Sequence, residues 1–230
     1  MLRLVTYYTP SHAEMCRRFV LSRAWGFDER RSTQYDQTCA SGSFKSAGWN
    51  ECMLDKLDCL MRLPIDGQPT VYVDSDVALF PGFHDWCEET LARMPNDAVA
   101  FADDVIQWCA GVMLFRSTPV VHRFWQLLAD LSRIWNLPDQ DVLHQLRMQS
   151  EQTGGKLPIQ PQVLHRSVVC NWATVNDPDC LPSPWDGEPF VVPRSCLAWH
   201  ANWTVGIDRK QRMLEHVVLR ETSGVATQPA

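Results

Sequence analysis

The densest chemistry in the sequence lies at Val71-Tyr72-Val73-Asp74-Ser75-Asp76-Val77-Ala78-Leu79-Phe80. Two carboxylates stand two residues apart at the end of an apolar run. In an extended chain residues i and i+2 point the same way. Two anions held side by side repel, each raising the other's pKa, and a divalent cation removes that conflict. Carboxylate oxygens are hard donors that suit Mg²⁺ or Mn²⁺, ions that bridge to phosphate oxygens. An isolated Asp-x-Asp is more often a solvated turn with the second acid as a cap. Here apolar runs on both sides hold the pair at a sheet edge.

Other constellations lie far along the chain. Trp199-His200-Ala201-Asn202-Trp203-Thr204-Val205-Gly206 is followed by Lys210. A neutral imidazole would complete a set of two carboxylates and one nitrogen. Gly206 permits close backbone approach, and Lys210 can meet a diphosphate as a point charge. In Cys109-Ala110-Gly111-Val112-Met113-Leu114-Phe115 the small residues before a strand let a sugar or phosphate lie on the backbone, or simply pack closely. Asp103 and Asp104, just upstream, are acceptors for sugar hydroxyls or members of a turn. Asp139-Gln140-Asp141 opens a helix, where the helix dipole alone favours acids. Lys56 lies seven residues after Trp49 on one helical stripe. Its stem is partly buried, so its ammonium must reach an acid or a phosphate; a structural ion pair is the first reading. His12, His84, His122, His144, His165 and His216 show no partner spacing and read as structural or surface residues.

The elements that must position these residues follow from periodicity. Residues 3–8 alternate and are β-prone. Ser11-His12-Ala13-Glu14 reads as a capping box that opens a helix to about Ala24. Residues 32–37 form a short strand. Trp49, Met53, Leu57 and Leu60 mark a helix over 46–63. A turn at 66–69 leads to a strand over 70–73. A helix is expected at 84–93 and strands at 98–102 and 111–115. Thr118-Pro119 starts a helix with Pro in its first position, and another opens at Pro138. Residues 150–196 carry no clear pattern. Residues 197–200 read as the last strand, 208–219 as the last helix, and 223–230 as a flexible tail. Strands alternating with helices predict an α/β fold with a mostly parallel sheet covered on both faces. Ligands bind beyond the carboxyl ends of such strands, and the acids named above fall there.

Composition narrows the classes. The 230 residues are 45% hydrophobic and 21% charged, near the average for a globular chain. A formal charge of -6 gives no footprint for duplex nucleic acid. No apolar run reaches the length of a membrane span, and the first residues lack a signal-peptide core. Nine cysteines, with no CxxC spacing, read as reduced thiols and a cytoplasmic location.

Taken in order, the first strand, the Lys56 helix, "VYVDSD", "AGVMLFRST", "DQDVL" and "HANWTVG" with its following lysine resemble nucleotide-diphospho-sugar transferases of the GT-A fold. The likeness is to the retaining glycogenin and lipopolysaccharide galactosyltransferase group, over roughly residues 3–212. The resemblance implies a single Rossmann-like GT-A domain over 1–222, with a mixed sheet flanked by helices. It implies a hexosyltransferase that moves a sugar from a nucleotide-diphosphate donor to a glycan or other hydroxyl acceptor, with Mn²⁺ or Mg²⁺ and with retention. Asp74, Asp76 and His200 become the metal ligands. Thr6, Tyr8, Lys56, Asp74, Ser75, Asp103, Ala110, Gly111, Asn202, Gly206 and Lys210 fall at donor contacts. Asp139 and Gln140 lie beside the anomeric carbon, and if the reaction inverts, Asp103, Asp104 or Asp139 is the candidate base. The chain departs from the group's pattern at Cys109 and in the longer interval from His200 to Lys210. A nucleotide-sugar binding module without turnover and a metal-dependent phosphatase are the rival readings.

Overall fold

The computed structural model describes residues 1–41, 46–105, 107–176 and 183–222. Its centre is a six-stranded sheet in the order β2-β1-β3-β6-β5-β7. The strands are β1 (Arg3–Tyr8), β2 (Glu29–Gln34), β3 (Pro69–Val73), β5 (Ala98–Asp103), β6 (Trp108–Arg116) and β7 (Gln160–Val163). β1 is parallel to β2 and β3, and β5 to β7, whereas β6 runs against both its neighbours. The sheet is therefore mostly parallel, as expected. β6 is reversed because only residues 104–107 separate it from β5, and so short a link permits only an antiparallel pair.

Helices α2 (Trp49–Met61), α4 (Pro119–Trp135) and α5 (Asp139–Thr153) cover one face, packing Leu57, Leu60, Phe124, Trp125 and Val142 against Val5, Tyr72, Phe101 and Phe115. α3 (Phe83–Arg93) and the segment after β1 cover the other face around Val71, Val73 and Leu114. The α4 stripe behaves as its spacing predicts. Thr118 caps it by accepting from the Val121 N–H at 3.4 Å, and Pro119 stands in the first turn.

A second sheet, in the order β4-β9-β8, joins β4 (Val77–Leu79), β9 (Ala198–His200) and β8 (Val169–Asn171). Short helix α6 (Trp172–Asn176) follows β8, and α7 (Ile207–Thr222) follows β9. Met213, Leu214 and Val217 of α7 pack with Ala78, Trp172 and Trp199 in a third apolar cluster.

Several local expectations are corrected. Ser11 does not cap a regular helix. Thr9 precedes a 3-10 turn (Pro10–His12), then come one α turn, α1 (Ala13–Met15), a π stretch (Cys16–Val20) and another 3-10 turn (Leu21–Arg23). Glu14, expected to close the capping box, instead pairs with Arg17 at 2.6 Å. β2 lies three residues before its predicted start. The tail expected at 223–230 lies outside the described residues. Cys16, Cys52, Cys59, Cys87, Cys109 and Cys170 are buried free thiols. Among the described residues no helix is long and apolar enough to cross a membrane.

Candidate active site

The turn Asp74-Ser75-Asp76 bridges the two sheets, between the end of β3 and the start of β4. Pairing fixes it on both sides. The Asp74 N–H donates to the Gly111 carbonyl at 2.8 Å, one residue past the β3–β6 ladder. Val77 pairs with His200, and the Ala201 N–H donates to the Asp76 carbonyl at 3.0 Å. That register carries a histidine more than a hundred positions away to the paired acids. His200 Nε2 lies 3.3 Å from Asp76 Oδ1 and 3.7 Å from Asp74 Oδ2. One ligand atom from each residue lies within 4.8 Å of the other two, so the trio could hold a metal ion.

The imidazole is wedged over β6. Its Nδ1 lies 3.5 Å from Cys109 Sγ. A Cβ on residue 111 would stand 2.5 Å from Nδ1 and 2.9 Å from Nε2, so only glycine leaves the ring its place. Burial disfavours the imidazolium, but the Cys109 sulfur and the Asp76 carboxylate outweigh it and hold the His200 pKa well above 6.5. Burial likewise opposes the Asp76 carboxylate, yet Lys210 and His200 keep its pKa well below the usual range.

Each acid has a basic partner. Lys210 Nζ is ion-paired with Asp76 Oδ2. Lys56 Nζ, 3% exposed, bridges Asp139 at 3.0 Å and Asp74 at 3.4 Å and lies over the Tyr72 ring. The Tyr72 hydroxyl donates to Asp74 Oδ1 at 2.6 Å. Asp104 is a junction of four segments. Its Oδ1 accepts from Asn171 Nδ2 at 3.1 Å, Asn202 Nδ2 at 3.0 Å and Trp203 Nε1 at 2.6 Å; its Oδ2 accepts from Gln140 Nε2 at 3.2 Å. Trp203 takes a left-handed φ of 56°. The indole bond to Asp104, with the Trp185 N–H on the Trp203 carbonyl at 2.8 Å, sustains that strained backbone.

Asp74, Asp76, His200, both lysines and Asp104 line one cavity of about 320 Å³ at the carboxyl ends of β1 and β3. Of the residues proposed from sequence, Tyr8, Lys56, Asp74, Ser75, Asp76, Asp104, Asp139, Gln140, His200, Asn202 and Lys210 line it. Five do not. Thr6 is fully buried, its hydroxyl 3.9 Å from Cys16 Sγ; it lies two residues short of the end of β1, where Tyr8 on the same face does reach the cavity. Asp103 faces outward to Arg166 at 2.9 Å. Ala110 packs in the core beneath α2 and α4. Gly111 makes room for the histidine ring, and Gly206 supplies a φ of 93° just before α7.

The cavity also takes in residues that sequence spacing missed. His12 lines it, its Nδ1 2.9 Å from Ser11 Oγ. Burial lowers the His12 pKa and Lys210 lowers it further, against Asp76 and Asp74. Its signal was position, just beyond a strand's carboxyl end. Trp203, inside the HANWTVG segment but given no role from sequence, and Gln37, which no pattern marks, also line the wall.

No protein-family model matches the chain, and no curated protein matches it in sequence. Solved structures do. A glycosyltransferase involved in glycosylation of the major capsid of PBCV-1 is 10% identical, with 93% of this chain and 98% of that one covered and a TM-score of 0.58. The glycosyltransferase GlyE of Streptococcus pneumoniae TIGR4 is 13% identical over 100% of this chain and 66% of its own, with a TM-score of 0.56. The galactosyltransferase LgtC, solved with donor and acceptor sugar analogs, is 11% identical over 99% and 97%, with a TM-score of 0.51. The chain therefore has the GT-A glycosyltransferase fold.

Proposed function

We propose that this protein is a metal-dependent glycosyltransferase that moves a hexose from a nucleotide-diphosphate donor to an acceptor hydroxyl, with retention of configuration. The observation that carries the reading is the convergence of Asp74, Asp76 and His200 within one cavity in a GT-A fold. The donor set fits a divalent cation, which would displace the proton that the raised His200 pKa places on the ring. Two carboxylates and an imidazole suit Mn²⁺ or Mg²⁺, and β6 carries glycine where any side chain would displace the ring. Asp74, Asp76 and His200 would hold the ion, whose chemistry when bound is Lewis-acid polarisation of the diphosphate.

The chain's own groups supply the rest. Lys210 offers a positive charge where the leaving diphosphate gains negative charge. The Asp104 carboxylate can only accept, so it takes the NH₂ end of Gln140 and leaves the carbonyl oxygen for the cavity. That oxygen suits a positively charged, oxocarbenium-like centre. Inversion would require a carboxylate base. All three acids considered for that role are engaged: Asp103 with Arg166, Asp104 with its donors, and Asp139 with Lys56. This favours retention, with Gln140 nearest the anomeric carbon and Asp139 anchoring Lys56. Asp74 is equally engaged, by Tyr72 and Lys56, which disfavours the nucleophile of a phosphatase.

The test is a screen of nucleotide-sugars with Mn²⁺ and common hydroxyl acceptors, reading release of nucleoside diphosphate. Wild type turns over one donor, and Asp76→Ala does not. Near wild-type turnover by Asp76→Ala refutes the metal role. Donor binding by calorimetry without product would identify a binding module instead.

A further inference from the structure

Lys210 occupies the carboxylate that a cation would need. Its ammonium is paired with Asp76 Oδ2, while Oδ1 of the same group faces His200 Nε2 at 3.3 Å. The side chains of Lys210 and Asp76 are 9% and 7% exposed, so water screens them little. A divalent ion entering between Asp74, Asp76 and His200 meets a positive charge already seated on one of its ligands. The lysine is also badly placed on its own helix. α7 begins at Ile207, which puts Lys210 in the first turn, where the helix dipole repels a cation. Asp76 offsets that repulsion, and an anion in the cavity would do the same. The cavity wall passes Thr204, Val205 and Lys210, so an anion bound there meets both the ammonium and the helix's positive end.

Resting on the metal-dependent reading above, we propose that Lys210 exchanges between Asp76 and the donor's diphosphate, so that cation and diphosphate bind as a pair and each binds weakly alone. Removing the ammonium then has opposite effects on the two ligands. The cation alone binds more tightly, because its competitor has gone. The diphosphate binds more weakly, and the synergy between the two collapses. Linkage makes that synergy equal from either side. A lysine with only a structural role would weaken both ligands together.

The experiment measures Mn²⁺ binding by calorimetry, alone and with inorganic pyrophosphate, corrected for the Mn²⁺–pyrophosphate complex in solution. It uses wild type, Lys210→Met and Lys210→Gln, with circular dichroism as the check on folding. Pyrophosphate is expected to tighten Mn²⁺ binding to wild type by about tenfold or more. Both variants are expected to bind Mn²⁺ alone about tenfold more tightly than wild type and to lose the synergy. Folded variants with unchanged Mn²⁺ affinity and intact synergy overturn the exchange. So does a wild type that binds Mn²⁺ equally with and without pyrophosphate, a result that needs no variant. A wild type that binds no Mn²⁺ under either condition overturns the metal reading itself and the exchange with it.

Discussion

Gly111→Ala puts the geometry of the histidine to its most direct test. The added Cβ would lie 2.5 Å from His200 Nδ1 and 2.9 Å from Nε2. Comfortable non-bonded separations begin near ~3.5 Å, so the overlap is about 1 Å. The strand cannot yield. β6 lies between β3 and β5, and the Gly111 carbonyl accepts the Asp74 N–H at 2.8 Å. The ring must therefore move by roughly the overlap, ~1 Å, away from Asp76 Oδ1 and Cys109 Sγ. Metal–ligand distances tolerate only about 0.2 Å, so the displaced nitrogen is lost as a ligand. Overpacking of this kind costs about 1–3 kcal/mol, and for a chain of this size Tm falls by ~2–4 °C per kcal/mol. Calorimetry with Mn²⁺ should show affinity reduced by at least about tenfold, alongside a Tm lowered by roughly 2–12 °C. Gly67→Ala is the control. Its φ is 72° and nothing lies within 4 Å of a Cβ there. It should cost about 1–2 kcal/mol of backbone strain and leave Mn²⁺ binding untouched. Wild-type Mn²⁺ affinity and an unchanged Tm in Gly111→Ala would refute the argument.

Two further substitutions probe the surroundings. Asp104→Ala removes the acceptor for four donors, from Asn171, Asn202, Trp203 and Gln140, at a carboxylate that is 3% exposed. Neutral donors left without an acceptor cost about 1–3 kcal/mol each, so urea unfolding should show a loss of at least about 2 kcal/mol, and a loss below about 1 kcal/mol would remove Asp104 from its role as the junction. Asp55→Asn tests a strained charge on α2. Burial, with repulsion from Asp58, Asp36 and Glu51, pushes the Asp55 pKa up to about 6. Because this folded value lies above the unfolded one, ~3.9, the folded chain binds the proton more tightly. The wild-type penalty is therefore present above pH ~6 and disappears below pH ~4. The variant should gain about 1 kcal/mol at neutral pH, reduced by solvent screening, and nothing near pH ~4. Equal gains at both pH values would show that charge is not the cause.

The parts legible in the sequence are those fixed by short-range pattern. The α4 stripe with its Thr118-Pro119 start, the Lys56 stripe of α2, and the apolar runs ending at Asp74 and Asp103 all depend on neighbours within a few positions. The parts missed depend on partners far away. β4 is three residues long and exists because Val77–Leu79 pairs with Ala198–His200. β7 carries Pro161 and an exposed face, so it has no alternation to read, and β5 defines it. The segment after β1 looked like a regular helix because its apolar spacing holds, yet its backbone passes through 3-10, α and π forms. Within the site, residue types at strand ends were readable, but facing was not. Along β1 the distance from the strand's end decides that Tyr7 and Tyr8 meet the cavity and Thr6 does not. His12 has no periodic partner, so only the position of β1 in the sheet reveals it.

Charge alone does not explain the paired acids. Their repulsion is the feature that first suggests a cation, yet the protein answers it with its own side chains: Lys56 for Asp74 and Asp139, and Lys210 with His200 for Asp76. If neutralisation were the whole purpose, lysines would suffice. The imidazole would then need no clearance in a central strand, and a larger residue at position 111 would pack the core better. Instead β6 carries glycine at a position where a side chain would strike the ring. The histidine sits at the boundary of both sheets, its Nε2 turned to both carboxylates. That arrangement is what the proposed ligand set would need in order to share an ion, and it makes the clearance at Gly111 the most specific structural support for the proposed metal-dependent chemistry in this cavity.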